Sequence, residues 1–413
     1  MADKVRLKRE IGLFGASALG IGAIVGSGIF IVTGIVAGLA GPAMILSILI
    51  AGAIAVFSAM SVAELSAYLP EEGGTYSFAR KLISPFTGYI AGWIWVFSNI
   101  FVGAAVSLGF AQYFVTIFPA IPVKVIAVIV CFSFLLINYF GVRESTLINN
   151  VLVIFKVLIL LFFIAFALGY FKISNFTPFA PAGPTGILMG AALIFFAYTG
   201  FARVTIMAEE VKDPENTIPR SIYVALGVST LLYIFVGLMA TGLVGTAVLS
   251  HSTSPLAKAI SITGSPLATL IISIGAMIAT ASVLLTTIMG VSRIVFAMGR
   301  SDDLPAFAGR LHPRFSTPHY AICMTGACMI AAILLADLTL VVGVSTFAML
   351  VYYLIANIAA MKIPSGIRRY PAIIPFIGGD NLHQPYDLPW ADRLVCRGDR
   401  SRNGNRIVCT HKL

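Results

Sequence analysis

The sequence predicts an all-α polytopic membrane protein, and three observations carry that reading. Hydrophobic residues make up 59% of the 413 and charged residues only 11%, about half the charge of an ordinary soluble domain. Apolar runs long enough to cross a bilayer recur along the chain. Basic residues then collect in alternate connections between those runs. A large core does not account for the missing charge, because a soluble surface still needs polar side chains.

A helix needs roughly 20 apolar residues to cross the hydrocarbon layer. Ten runs approach or exceed that length, at about 12–40, 42–68, 87–118, 123–141, 147–169, 187–208, 221–249, 266–299, 319–336 and 338–361. None alternates with the two-residue period of a barrel strand, so the spans are helical. The first run is far longer than a signal-peptide core and reads as a retained span.

Basic residues set the orientation. With the N-terminus in the cytoplasm, alternate connections place Lys4, Arg6, Lys8, Arg9, Arg80, Lys81 and Arg143 on one side. Lys212, Arg220, Arg300, Arg310, Arg314, Lys362, Arg368 and Arg369 join them, against Lys124, Lys172 and Lys258 opposite. Fifteen against three makes the first side cytoplasmic. The expected location is the cell membrane, with the bilayer as partner. The formal charge of +10 is explained without nucleic acid, since a basic soluble binder would not sort its charges by alternate loops.

Five cysteines are too few for a disulfide framework. Cys131, Cys323 and Cys328 lie in apolar runs, and Cys396 and Cys409 match no metal spacing. The histidines all fall in connections or tail, so neither an enzyme site nor a metal or cofactor is implied. The transmembrane core extends over 1–370. Residues 371–413 form a charged tail unlike it, with ten charged residues between 380 and 413. The sequence carries no signal of oligomeric state.

Ten spans divide into two sets of five, about 8–170 and 185–362. The first span of each set has an interrupted centre: Gly22-Ala23-Ile24-Val25-Gly26-Ser27-Gly28 and Tyr198-Thr199-Gly200-Phe201. Paired interruptions at matching places point to an inverted-repeat transporter. If the first helix unwinds there, freed N–H groups at the positive end of a half-helix offer a site for a carboxylate. Gly22 and Gly26 also form a GxxxG pair, and for the glycines taken alone close packing is the favoured explanation. Unwinding at Thr199-Gly200 would expose carbonyls for an ammonium, with Phe195, Phe196, Tyr198 and Phe201 as aromatic walls.

Lys156 is the one ionisable residue between Val151 and Gly169. A charged lysine at bilayer depth costs roughly 2.5–3.5 kcal/mol, which favours the uncharged amine and opens a role in proton exchange. Snorkelling to the interface is the competing explanation. Glu64 and Asp337 are expected at span ends, Arg293 can snorkel, and Arg203 faces a vestibule or pairs with Glu209 or Glu210.

Gly22-Ala-Ile-Val-Gly-Ser-Gly-Ile-Phe30 resembles the first-helix motif of the amino acid–polyamine–organocation superfamily. Phe195-Phe-Ala-Tyr-Thr-Gly-Phe201 and the following Ala208-Glu-Glu-Val-Lys-Asp-Pro-Glu-Asn-Thr-Ile-Pro-Arg220 resemble its sixth helix and loop. Pro70-Glu-Glu-Gly-Gly-Thr-Tyr76 and Ser292 to Arg300 match as well. The resemblance covers about 8–375 and is nearest to archaeal proton-coupled amino acid transporters. It implies a LeuT-like core of two inverted five-helix repeats, with the first and sixth helices broken, that moves amino acids by alternating access.

By that resemblance, Gly26, Ser27 and Gly28 hold the substrate carboxylate. Carbonyls near Ala23, Ile24, Phe196 and Thr199 take its ammonium, with Tyr198 and Gly200 beside them. Lys156 stands as the proton-coupling lysine, reaching the Gly22 carbonyl with Ser282 nearby. The expected activity is proton-coupled symport. The alternatives are an amino acid or polyamine exchanger without proton coupling, and a membrane amino acid sensor that moves nothing. Two features depart from the family: Ala202-Arg203 replaces an acidic position after the sixth-helix glycine, and ten spans stand where relatives carry twelve.

Overall fold

The computed structural model describes residues 11–69, 73–141, 146–206, 211–315, 317–364, 368, 370, 396–397 and 408–409. Residues 1–379 make one compact unit and 380–413 a second. Described in the second unit are two short strands, β1 (Cys396–Arg397) and β2 (Val408–Cys409), paired antiparallel with Cys396 opposite Cys409.

The first unit is helical. Its chain order is α1 (Leu13–Ile24), a π-turn (Gly28–Val32), α2 (Thr33–Ala40), α3 (Met44–Tyr68), α4 (Thr75–Leu82), α5 (Pro85–Ile117), α6 (Val123–Phe140) and α7 (Thr146–Ala167). Then follow α8 (Gly183–Ile194), a 3-10 segment (Phe195–Ala202), α9 (Arg203–Ile206), α10 (Pro214–Ser250), α11 (Pro255–Ser261), α12 (Pro266–Arg300), α13 (His319–Leu335) and α14 (Leu338–Ala360).

Eight helical stretches are long and apolar enough to cross a membrane. One of them runs from Leu13 to Tyr68, 56 residues, far more than one crossing needs. It is interrupted at Gly41-Pro42, where Gly41 adopts φ +62° and ends α2. A Cβ at Gly41 would meet the Pro181 ring at 2.5 Å. Taking its two sides separately and adding α13, a shorter apolar helix, gives the ten spans read from the sequence. The protein is a polytopic all-α membrane protein.

Local chemistry sets the ends. Ser84 caps α5 by accepting from Thr87 N–H at 3.1 Å, with Pro85 at the first helical position. Ser265 and Pro266 repeat the arrangement for α12. Such caps satisfy donors that the first turn leaves without helical partners. Exposed Asp337 caps α14 through Leu340 N–H at 2.8 Å. Gly141 closes α6 in the left-handed region, and Lys124 donates to Leu334 O at the end of α13.

The longest packing seams join α5 to α12 and α5 to α14. The buried face of α5 is rich in small residues, among them Gly92, Ser98, Gly103, Ala104, Ser107 and Gly109. Small side chains let membrane helices approach closely, where lipid gives no hydrophobic drive to associate. On α6, Ile129, Phe132, Leu136 and Phe140 remain exposed at helical spacing, as a lipid-facing stripe must be. The packing partners recur five spans apart. The third span (α5) meets the tenth (α14) and the eighth (α12) meets the fifth (α7). The third meets the fourth and the eighth the ninth, while the first meets the seventh and the sixth the second.

Three expectations change. Glu64, expected at an interface, is buried at 3% exposure on α3. Two short helices, α4 and α11, were not expected from a search tuned to apolar runs. The seventh span begins at Pro214, seven residues earlier than its apolar stretch, because Pro214–Arg220 is polar yet helical. At the end of α12, Arg80 Nη1 and the Tyr76 hydroxyl both donate to Asp303 Oδ2, at 2.6 and 2.7 Å. Burial raises the Tyr76 hydroxyl above its usual pKa.

Close approach of α4 to α5 depends on Gly88, where a Cβ would stand 2.8 Å from Arg80 Cα. Gly227, inside α10, has nothing within 4 Å of such an atom. Gly88→Ala therefore lowers the melting midpoint in detergent. Gly227→Ala leaves it unchanged or raises stability by up to about 1 kcal/mol. Matching thermal shifts for the two variants would contradict the packing of α4 on α5.

Candidate functional site

The first span loses its regularity at mid-length. Helix α1 ends at Ile24, Val25 turns extended (φ −73°, ψ 90°), and its N–H returns to Ile21 O at 2.7 Å. Ser27 resumes helical backbone (φ −53°, ψ −32°) and leads into the π-turn. The sixth span behaves differently. It does not open at Thr199-Gly200; it tightens into a 3-10 helix from Phe195 to Ala202, a geometry with strained hydrogen bonds and few long examples.

The glycines explain how the two irregular segments meet. A Cβ on Gly200 would lie 2.2 Å from Ala23 O, and one on Gly28 would lie 2.4 Å from Ala197 Cα. One on Gly26 would strike Val283 Cγ2 of α12 at 2.3 Å. Backbone therefore lies against backbone, and no other residue fits at Gly28 or Gly200 without displacing the partner span.

A helix broken inside hydrocarbon must find donors for its carbonyls elsewhere in the protein. Four side chains supply them. Lys156 Nζ, on α7 and 1% exposed, donates to Gly22 O at 3.0 Å. The Tyr233 hydroxyl on α10 lies 2.7 Å from Ile24 O and 3.1 Å from Ala197 O, one proton between the two breaks. Tyr353 on α14 donates to Thr199 O at 2.8 Å, and Tyr113 on α5 to Phe30 O at 2.5 Å. The Thr199 hydroxyl turns back to Phe196 O at 2.9 Å. Of the last four carbonyls of α1, Ile21, Gly22 and Ile24 thus have partners. Among the described residues, none donates a hydrogen bond to Ala23 O.

The residues expected from the sequence divide accordingly. Gly22, Ala23, Ile24, Gly26, Ser27, Gly28, Phe196, Thr199 and Gly200 gather at or beside the two breaks. Ala23 and Thr199 keep partial exposure while the others are buried. Tyr198 points elsewhere: it is fully buried, reaches Ile48 O of α3 at 3.3 Å and stands edge-on to Tyr233. The Ser282 hydroxyl donates within its own helix, to Ala279 O. Lys156 is carried inward and does not snorkel. Arg203 forks onto α12, with Nη1 on Thr286 Oγ1 at 2.5 Å and Nη2 on Thr287 Oγ1 at 2.7 Å. Its proposed partners Glu209 and Glu210 lie outside the described residues.

Sequence reasoning missed the three phenols and the two threonines. A tyrosine deep in an apolar run signals an acceptor nearby, because its hydroxyl is costly to bury unpaired. It does not say which acceptor.

Residues 11–376 match the profile of the amino acid permease family. The chain belongs to this family. An uncharacterised transporter of Mycobacterium tuberculosis is 34% identical over 90% of this chain and 84% of its own. The branched-chain amino acid permease of Bacillus subtilis is 33% identical over 86% of this chain and 82% of its own. The methylthioribose transporter of the same organism is 34% identical over 93% and 89%. A transporter of the amino acid permease family is what the breaks belong to.

Removing the Tyr233 hydroxyl strands Ile24 O, which lies past the last helical turn. Tyr233→Phe is expected to cost roughly 1–3 kcal/mol, the usual penalty for a buried unsatisfied group. Tyr198→Phe costs well under that, because Ile48 O sits mid-helix and keeps its helical partner. Thermal unfolding in detergent separates them; a larger loss for Tyr198→Phe would refute this ranking.

Proposed function

We propose that this permease moves amino acids across the cell membrane by alternating access, coupled to protons through Lys156. The proposed core is two inverted five-helix repeats, about 8–170 and 185–362, with the N-terminus cytoplasmic. The recurrence of packing partners five spans apart supports the repeats, and the basic-residue bias supports the orientation.

The observation that carries the coupling is Lys156 Nζ at 3.0 Å from Gly22 O. It is a buried amine holding the very end of the helix that must move. A protonated lysine is a stronger donor to that carbonyl than a neutral one. Loss of its proton therefore weakens the tie and biases the first span toward another position. Such a bias is worth only the difference in affinity between the two states.

The substrate site draws its chemistry from the peptide groups. Ser27 and Gly28 begin the second half of the first span, so their N–H groups sit at its positive end, suited to a carboxylate. On the other side Ala23 O faces Gly200, suited to an ammonium, with Thr199 alongside. A zwitterion matches both ends. The relative named for branched-chain amino acids agrees with this reading. Methylthioribose, named for another relative, has neither charge.

Uptake of labelled alanine into proteoliposomes, with and without an inward proton gradient, tests the proposal. Gradient-driven accumulation is expected, and Lys156→Ala is expected to abolish its pH dependence while the protein stays monodisperse. Accumulation that ignores the gradient would leave an exchanger. Thermal protection by alanine without counterflow would leave a sensor.

A further inference from the structure

We propose that the turn of residues 312–317 is an acid-released clasp on the end of α6, with His312 as its trigger. The turn belongs to the connection between α12 and α13. Helix α6 ends at Phe140, so its last carbonyls lack helical donors. One of them, Tyr139 O, accepts from the Thr317 hydroxyl at 2.8 Å. Gly141 permits that approach, since a Cβ there would stand 3.1 Å from Thr317 Cγ2 and 3.3 Å from Phe315 O.

Thr317 is itself held through its carbonyl, which accepts from the N–H groups of His312 and His319 at 2.8 and 2.9 Å. His312 then closes the turn. Its Nδ1 accepts from Arg314 N–H at 3.2 Å and from Phe315 N–H at 3.3 Å. The Phe315 ring rests against His312 and meets Phe140 edge-on, with centroids at 4.7 and 5.3 Å.

These two bonds to Nδ1 belong to one protonation state. A neutral imidazole has a bare nitrogen able to accept, whereas an imidazolium carries N–H on both. A proton on Nδ1 would face two N–H donors, and both bonds would be lost. His312 is partly exposed, so protons reach it from water. Histidine is also the side chain that changes charge just below neutral pH.

Across from His312 stand Tyr139 of α6 and His319 of α13, at 5.5 and 5.2 Å between ring centroids. Tyr320 packs on His319 at 4.1 Å, and the Arg314 guanidinium lies over the Phe315 ring. Two of these four neighbours are basic, and among the described residues no carboxylate pairs with either imidazole. Arg143 and Glu144 lie outside the described residues. The buried Nδ1 of His319 has no hydrogen-bond partner among the described residues, so of the two imidazoles it is His312 that closes the turn. In the proposed orientation the turn faces the cytoplasm, the side on which the proposed symport releases its protons. As pH falls below neutral, His312 gains its proton, the turn loosens and Thr317 lets go of Tyr139 O.

Amide hydrogen exchange on the full chain in lipid nanodiscs reads the clasp directly, with labelling times scaled for the intrinsic effect of pH. Between about pH 7.5 and about pH 5.5, exchange across 312–317 is expected to rise at least about threefold in wild-type protein. His312→Asn keeps an acceptor oxygen near the place of Nδ1 but does not titrate, and should hold the turn equally at both. His312→Ala should leave it open at both, and His319→Gln should keep the acid response.

Equal scaled exchange at the two pH values in wild-type protein overturns the clasp, and this needs no variant to fold. An acid response that persists in His312→Asn overturns it as well, as does one that vanishes in His319→Gln. None of these readouts depends on what the protein transports, so the clasp and the transport reading fail separately.

Discussion

A carbonyl without a donor inside a membrane has no water to turn to, and everything at the centre of this protein follows from that. An intact helix satisfies its own backbone. Once α1 stops at Ile24, its terminal carbonyls must be served from outside, and each donor ties another span to the break. Lys156 binds the fifth span to it, Tyr233 the seventh. The phenols are therefore more than core packing. In the proposed alternating-access cycle they decide which helices travel with the broken segments and which must let go.

The second constraint is steric. Gly28 against Ala197 and Gly200 against Ala23 bring peptide groups of two spans into contact. In the proposed site, that proximity lets a molecule as small as an amino acid touch both segments at once. It also means that each span's position is read by the other, since neither can shift without opening the contact. The aromatic residues Phe195, Phe201 and Tyr353 pack together behind the 3-10 segment. The run Gly26-Ser27-Gly28 in the first span carries no aromatic side chain.

The sequence showed the spans because bilayer thickness dictates run length, and every predicted run corresponds to a described helix. Ser27 and the glycines around it announced the first irregularity through composition alone. The form of the second was hidden. Thr199-Gly200 suggested an opened helix, but tightening to 3-10 geometry depends on what packs around it, and only Ala23 and Tyr353 reveal that. Tyr198 illustrates the same limit: an aromatic in the motif was expected to wall the site, yet its rotamer sends it to α3. Helices α4 and α11 escaped because neither is apolar along its full length. Glu64 escaped because a carboxylate near a span end looks interfacial until neighbouring helices bury it.

The donors also repeat with a difference. Lys156 of the fifth span serves Gly22 of the first, and Tyr353 of the tenth serves Thr199 of the sixth. In the proposed repeat these are equivalent relations, five spans apart. One is made by an amine, the other by a phenol. In the proposed coupling, a proton exchanged at Lys156 acts on the first half alone. If both halves carried tyrosine, protonation would have nothing to distinguish them; if both carried lysine, two buried amines would face each other across the breaks. In that proposal, one of each gives the proton a single helix to hold and leaves the sixth span as the side against which the first moves.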